Sequence, residues 1–467
     1  MCGGRVRAIS TTPNACPSHR LLLAAIAIGT MLAPLNSTMI AVALPDIQQA
    51  FDVSVTATTW LVLLYLVTMA IGQPIAGRMG DVYGRRTLYQ FGLGLFAVAS
   101  LGCAFAPSLP WLIVFRTLQA LAGALTLPNG VAMIRDALPA ERRGMAYGII
   151  GLAAATAAAS GPPIGGALVH AFGWSAIFWA NVPIIGVALL LSMNILPRRL
   201  PVSGGKSPFD PLGTVLFAMS LGAIISIPTI LNADRWALAI LAGVISVVAG
   251  WLFVRRELTT PSPVIDVRLF RQPAFAAPCA SVFLSNTVMY TTLLAMPLFL
   301  ERVRDISIQE AGLVLGAMSV FAAFCGPLGG RWSDRRGRRQ PAVAGSAILL
   351  ASTVLLIFGL QDGGIGLIVA ALAIMGLGLG ISGASVQTAA VEAVPESRTG
   401  SASGVYSTAR YLGSMVGSTM LAIAFADPAA TEDADRFVLL TAVLALAAVG
   451  AIFATSRIAG RQESSFM

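Results

Sequence analysis

The chain has 467 residues, 56% of them apolar and 11% charged, and a mean hydropathy of +0.81. A soluble domain carries roughly 25% charged residues, so 30 basic and 21 acidic side chains cannot clothe a protein of this length in polar surface, and a soluble fold is excluded. The net charge of +9 does not point to nucleic acid, because the arginines sit between long apolar runs, where cytoplasmic membrane loops carry them.

A bilayer-spanning helix needs about 20 mainly apolar residues. After a polar stretch over 1–20, that window predicts helices at 21–44, 58–76, 88–105, 110–134, 145–169 and 175–196, then at 212–230 and 237–254. The remainder fall at 275–300, 311–328, 342–360, 365–388, 402–425 and 438–455. The first run is longer than the apolar core of a signal peptide and reads as the first transmembrane helix. With the N-terminus inside, 24 of the 30 basic residues occupy inner segments, while Arg235, Arg302, Arg304 and Arg436 lie outside and Arg116 and Arg410 lie within spans. That bias predicts fourteen crossings of a plasma (inner) membrane with both termini cytoplasmic. Five scattered cysteines (Cys2, Cys16, Cys103, Cys279 and Cys325) and two distant histidines (His19 and His170) supply neither a disulfide framework, a metal site nor a catalytic cluster.

The chain repeats itself. Gly77-Arg78-Met79-Gly80-Asp81-Val82-Tyr83-Gly84-Arg85-Arg86 returns as Gly330-Arg331-Trp332-Ser333-Asp334-Arg335-Arg336-Gly337-Arg338-Arg339. Ala137-Leu138-Pro139, followed by Arg142, Gly144, Ala146 and Gly148, returns at nearly the same offset as Ala393-Val394-Pro395 with Arg398, Gly400, Ala402 and Gly404. The predicted organisation is an all-α polytopic membrane protein. A cytoplasmic tail (1–20) precedes a six-helix bundle (21–196), a linker with two inserted helices (197–274), a second six-helix bundle (275–456) and a cytoplasmic tail (457–467). Parallel six-span repeats about a membrane-normal axis are a transporter architecture, with the substrate site between the halves. Within the loop, glycines permit a tight turn, Asp81 can cap the following helix or pair with an arginine, and Arg85 and Arg86 face the anionic leaflet.

Three spans carry further patterns. In the fourth, Arg116-Thr117-Leu118-Gln119 is followed by small residues, and a helical rise of ~1.5 Å per residue puts Arg116 about 9 Å below Pro110. An arginine at such depth is costly and usually functional. The fifth contains Gly161-Pro162-Pro163-Ile164-Gly165-Gly166, where glycine allows close backbone approach and proline bends the helix. The first contains Leu35-Asn36-Ser37-Thr38 leading to Pro45, with Asn36 about 13 Å deep, the level bracketed by Arg116 and Gln119.

These motifs resemble those of the major facilitator superfamily, and within it the 14-helix drug:proton antiporter family of multidrug efflux transporters, over nearly the whole chain. The resemblance implies a major facilitator fold. It implies that the Gly77–Arg86 loop and its repeat (Gly77, Asp81, Gly84, Arg85 and Arg86; Gly330, Asp334, Gly337 and Arg338) latch the outward-facing state. It also implies that Gly161, Pro162, Gly165 and Gly166 form the helix-5 motif of exporting antiporters. The chain departs at Asn36, which stands where the family has an aspartate. An amide does not titrate near neutral pH, and each of the 21 acidic residues falls in a loop, a tail or a terminal turn of a span. Proton antiport and a preference for lipophilic cations are both weakened by that absence.

The remaining candidates for substrate binding and coupling are Asn36, Arg116 and Gln119 in the first half, and Asn286, Tyr290, Gln387, Tyr406 and Arg410 in the second. The expectation is a monomeric secondary transporter that exports drugs or other small amphiphilic compounds by alternating access. Its partners are the substrate and the lipid bilayer, with no nucleic acid, and it has no cofactor beyond a coupling proton. Uptake or facilitated movement of a neutral metabolite, or lipid flipping, stays open as an alternative. An enzyme is disfavoured, since neither a nucleophile–base constellation nor a phosphate-binding Gly-x-x-x-x-Gly-Lys loop is present.

Overall fold

The structure is a computed structural model that describes residues 19–53, 55–196, 210–231, 235–260, 263–306, 308–361, 363–425 and 434–459. Its first half consists of α1 (His19–Phe51), α2 (Val55–Tyr83), α3 (Arg85–Ala104), α4 (Leu109–Ala137), α5 (Ala140–Phe172), the short α6 (Ala176–Trp179) and α7 (Asn181–Ile195). The inserted pair is α8 (Pro211–Leu231) and α9 (Trp236–Thr259), followed by a 3-10 turn at Val267–Arg271. The second half comprises α10 (Pro273–Arg302), α11 (Ile308–Arg336), α12 (Arg339–Gln361), α13 (Ile365–Glu392), a 3-10 turn at Glu396–Arg398, α14 (Thr399–Ala424) and α15 (Ala434–Ser456).

Every predicted window falls on a helix, the sixth being divided between α6 and α7. Eleven helices among the described residues are long and apolar enough to cross a membrane, or twelve if α5, bent by 41° between Ala158 and Pro163, is one span. α8 has a shorter apolar stretch, Pro211–Ile227, and α14 does not belong to that set. The reason for α14 lies in its composition: its first half carries Ser403, Ser407 and Thr408 buried against neighbouring helices, which lowers its hydropathy although Val416 and Ile423 are exposed further on. α9 shows the opposite pattern, exposing Trp236, Ile240, Val247 and Trp251, as a helix bathed in lipid must.

Each half has its own apolar core. Ile26, Tyr89, Phe96, Tyr147 and Ile185 are packed together in the first, and Met296, Phe299, Leu349, Leu372 and Phe437 in the second. The inserted helices pair with each other through reciprocal hydrogen bonds, Ser220 Oγ to the Ser246 carbonyl (2.9 Å) and Ser246 Oγ to the Ser220 carbonyl (3.0 Å). At their base, Asp210 accepts from the Gly213 N–H and from Arg256. Burial pushes the Asp210 carboxyl up, but these donors outweigh it and hold the group below the usual carboxylate range. α8 also packs on α2 and α14.

The halves meet along two seams, α2 with α14 and α5 with α11, and the repeated glycines explain why. A Cβ on Gly77 would lie 2.0 Å from the Gly400 carbonyl oxygen, and one on Gly330 would lie 2.2 Å from that of Gly144. One helical turn away, Gly404 and Gly148 sit against the backbone at Pro74 and Pro327. Backbones this close exclude any side chain. Gly84 and Gly337, at φ 99° and 88°, make the breaks between α2 and α3 and between α11 and α12, a left-handed turn that L-residues avoid.

Candidate functional site

The first half holds a buried polar cluster. Arg116 on α4 is 1% exposed, so its side chain does not snorkel to the interface. It donates to Gln119 Oε1 (2.6 Å) and to the Asn36 carbonyl (3.3 Å) and stacks 4.3 Å from the Tyr65 ring centroid. Gln119 in turn donates to Ser100 Oγ at 2.8 Å, and Asn181 Nδ2 to Asn36 Oδ1 at 3.3 Å. Asn36, Arg116 and Gln119 are therefore brought together. Three atoms within the set, Asn36 Nδ2, Asn181 Oδ1 and Arg116 Nε, are buried without a hydrogen-bond partner among the described residues.

The second half reaches this cluster through α14. Tyr411 packs on the buried cluster formed by Ala33, Tyr65, Met69, Ala120 and Ala124, and the Arg410 guanidinium lies 5.4 Å from the Tyr411 ring centroid. Tyr290 on α10 is within electrostatic reach of both Arg410 and Tyr411. Tyr406, one turn before Arg410 on α14, is within its electrostatic reach as well, and the other candidates lie elsewhere. The Asn286 amide donates to the Val282 carbonyl within α10, Tyr406 is buried among Ala277, Val282, Val386 and Ala390, and Gln387 is half-buried on α13. Among the described residues no carboxylate pairs with Arg116 or Arg410, and every acid lies in a loop or towards a helix end.

At one end of the bundle the repeated loops form two matching ion clusters. Asp81 accepts from the backbone N–H groups of Gly400 and Ser401, each at 2.9 Å, and from Arg85. Arg85 also pairs with Asp136 and donates to the Glu396 carbonyl at 2.5 Å. In the second copy Asp334 accepts from Gly144 and Met145 N–H, each at 2.8 Å, while Arg338 pairs with Asp334 and Glu392 and donates to the Ala140 carbonyl. Asp81 thus caps no helix of its own half. It binds the start of α14 across the seam, where the helix dipole favours a carboxylate. Arg86 instead stays within its half, donating to the Leu196 and Met193 carbonyls. Arg135 adds a cross-seam strut that has no counterpart in the repeat, donating to the carbonyls of Val391 and Val394 and to Thr399 Oγ1.

The glycines of the fifth span face α1. A Cβ on Gly161 would meet Thr38 Oγ1 at 1.9 Å, Gly165 lies against Met39, and Gly166 is 3.7 Å from Val42. Pro162 follows Gly161 where α5 bends. The second half repeats the contact, with Gly417 on α14 against Thr291 of α10.

Sequence reasoning missed Tyr65, Asn181, Asp136 and Glu392. The two acids had a detectable signal, since they stand at matching positions ahead of Ala137-Leu138-Pro139 and Ala393-Val394-Pro395. Tyr65 had none, lying in an apolar helix whose inward face the pattern does not mark, whereas Asn181 stands in the stretch Gly173–Pro183 that resembles the family's entry into helix 6, a pattern that assigns it no partner.

Comparison with known proteins accords with this architecture. A profile described as Major Facilitator Superfamily matches residues 26–418. The chain is 36% identical over 402 residues to the uncharacterized MFS-type transporter YvkA of Bacillus subtilis (strain 168), covering 86% of this chain and 90% of that one. It is 31% identical over 409 residues to the multidrug resistance protein Stp of Mycobacterium tuberculosis (strain CDC 1551 / Oshkosh), covering 86% and 75%. In fold it is similar to the human organic anion transporter MFSD10 (TETRAN), with a TM-score of 0.67 at 14% identity over 93% of this chain and 100% of that one. With a profile match along most of its length and a relative spanned nearly end to end, the chain belongs to the Major Facilitator Superfamily and is a transporter, not an enzyme.

Proposed function

We propose that this protein exports small amphiphilic compounds by alternating access, crossing a plasma membrane fourteen times with both termini in the cytoplasm. The arginine bias of the inner segments supports that orientation, and likeness to a multidrug resistance protein supports export. The observation that carries the mechanism is the pair of matching Asp–Arg–acid clusters at the same end, each built within one half and reaching across one seam through hydrogen bonds to backbone groups of the other. Charge-assisted hydrogen bonds between rigid halves can be broken and remade, so they bias a rocking equilibrium without altering either bundle. The end that bears the repeated loops is closed, and on the proposed orientation that end is the cytoplasmic one. Asn36 and the lack of a central carboxylate argue for transport with little proton exchange.

The test is flux in everted vesicles from an efflux-deficient host. Saturable accumulation of amphiphilic dyes is expected, with Arg116→Ala reducing it at least about 10-fold, and substrate addition should move few protons in a pH-reporting vesicle. Stoichiometric proton release would instead place a titrating carboxylate in the pathway.

A further inference from the structure

The centre of the molecule is electrically one-sided. Arg116 on α4 and Arg410 on α14 are cations within helical segments, and neither has a carboxylate partner among the described residues. A charge removed from water without a counter-ion is costly, whatever neutral hydrogen bonds surround it. Arg116 is only partly satisfied by Gln119 and the Asn36 carbonyl, and its Nε has no partner.

The two cations are linked by aromatic rings. Arg116 stacks on Tyr65, Tyr65 packs with Tyr411 across the seam between halves, and Arg410 lies over Tyr411. Arg116 is sealed, whereas Arg410, Tyr411 and Tyr290 are each partly exposed. The exposed members thus present a guanidinium and phenol hydroxyls, all hydrogen-bond donors suited to an anionic oxygen group. The aromatic faces beside them suit an apolar ring system.

On the export reading above, we infer that the transported compounds are amphiphilic organic anions. Their acidic group binds at Arg410 with help from Tyr411 and Tyr290, and their charge offsets the positive field that Arg116 extends across the same seam. The anion serves as the counter-ion that the described residues do not supply. A lipophilic cation meets two like charges there and is rejected.

The experiment uses the full-length protein in proteoliposomes and three fluorescent probes. These are 8-anilinonaphthalene-1-sulfonate, N-phenyl-1-naphthylamine (the same skeleton without the sulfonate) and the cation ethidium. The expected result is saturable transport of the sulfonate that is competed weakly by the neutral analogue and not by ethidium. Arg410→Gln should lower sulfonate transport at least about 10-fold, while Arg410→Lys, which keeps the charge, restores part of it. Thermal unfolding of each variant separates a binding defect from misfolding. Saturable transport of ethidium or the neutral dye with the sulfonate ignored, or sulfonate transport untouched by Arg410→Gln, overturns the anion inference and leaves export standing. Failure of a folded protein to move any of the three overturns both.

Discussion

Arg116 is a residue whose burial opposes stability. Its guanidinium is removed from water with neutral partners only and one orphaned nitrogen, so a methionine of similar length should be accommodated without that penalty. Arg116→Met is expected to unfold at the same or a higher temperature while losing transport by about 10-fold or more; a large drop in unfolding temperature with transport retained would make the arginine a structural strut. Asn36 offers the converse change. Asn36→Asp places a carboxylate beside Arg116, and an ion pair there cancels the local positive charge. The variant should export ethidium measurably where the parent does not, read by fluorescence in whole cells. How this cluster was legible is instructive. Counting helical rise from the loops put Asn36, Arg116 and Gln119 at one level, because rise per residue is insensitive to environment. It could not select Tyr65, since a helix apolar on all sides carries no mark of which face turns inward.

Among elements, the two seams are near copies, and the copies make a quantitative demand. Asp81 and Asp334 each bind two backbone N–H groups and an arginine, and a charge-assisted bond to a partly buried group is worth about 1.5–3 kcal/mol. Asp81→Asn and Asp334→Asn should therefore shift the rocking equilibrium by similar amounts, roughly 10- to 150-fold each. Spin labels at Glu141 and Arg336, both exposed and on opposite halves, would report a longer distance population in either variant. If only one variant opens the end, the seams are not equivalent and the Arg135 strut, which serves one side alone, is the reason to examine. The repeat itself was plain in the amino-acid sequence, as were its Asp and Arg members. What each aspartate binds was not, because a backbone N–H at the start of a distant helix has no side-chain identity to read.

For the whole molecule, the inserted helices break the symmetry that the repeats create. α8 packs on α2 and α14, and Asp266, in the segment after α9, pairs with Arg398 ahead of α14. Among the described residues neither inserted helix packs comparably on α5 or α11. The fourteen predicted windows all became helices, yet composition could not say which seam the extra pair would cover, since α9 and α11 both expose large apolar side chains. On the uncovered side α11 exposes Leu313, Val320, Phe324 and Leu328. The inserted pair therefore screens one seam from the bilayer and leaves the other facing it. A hydrophobic photolabel carried in the membrane is expected to tag α5 and α11 well above α2 and α14, as mapped by peptide sequencing, and equal labelling would remove the distinction. If substrates enter along that lipid-facing seam, their effective concentration is that in the leaflet, and on the proposed export reading the order of transport among equally well-bound compounds should follow partition into lipid and not concentration in water.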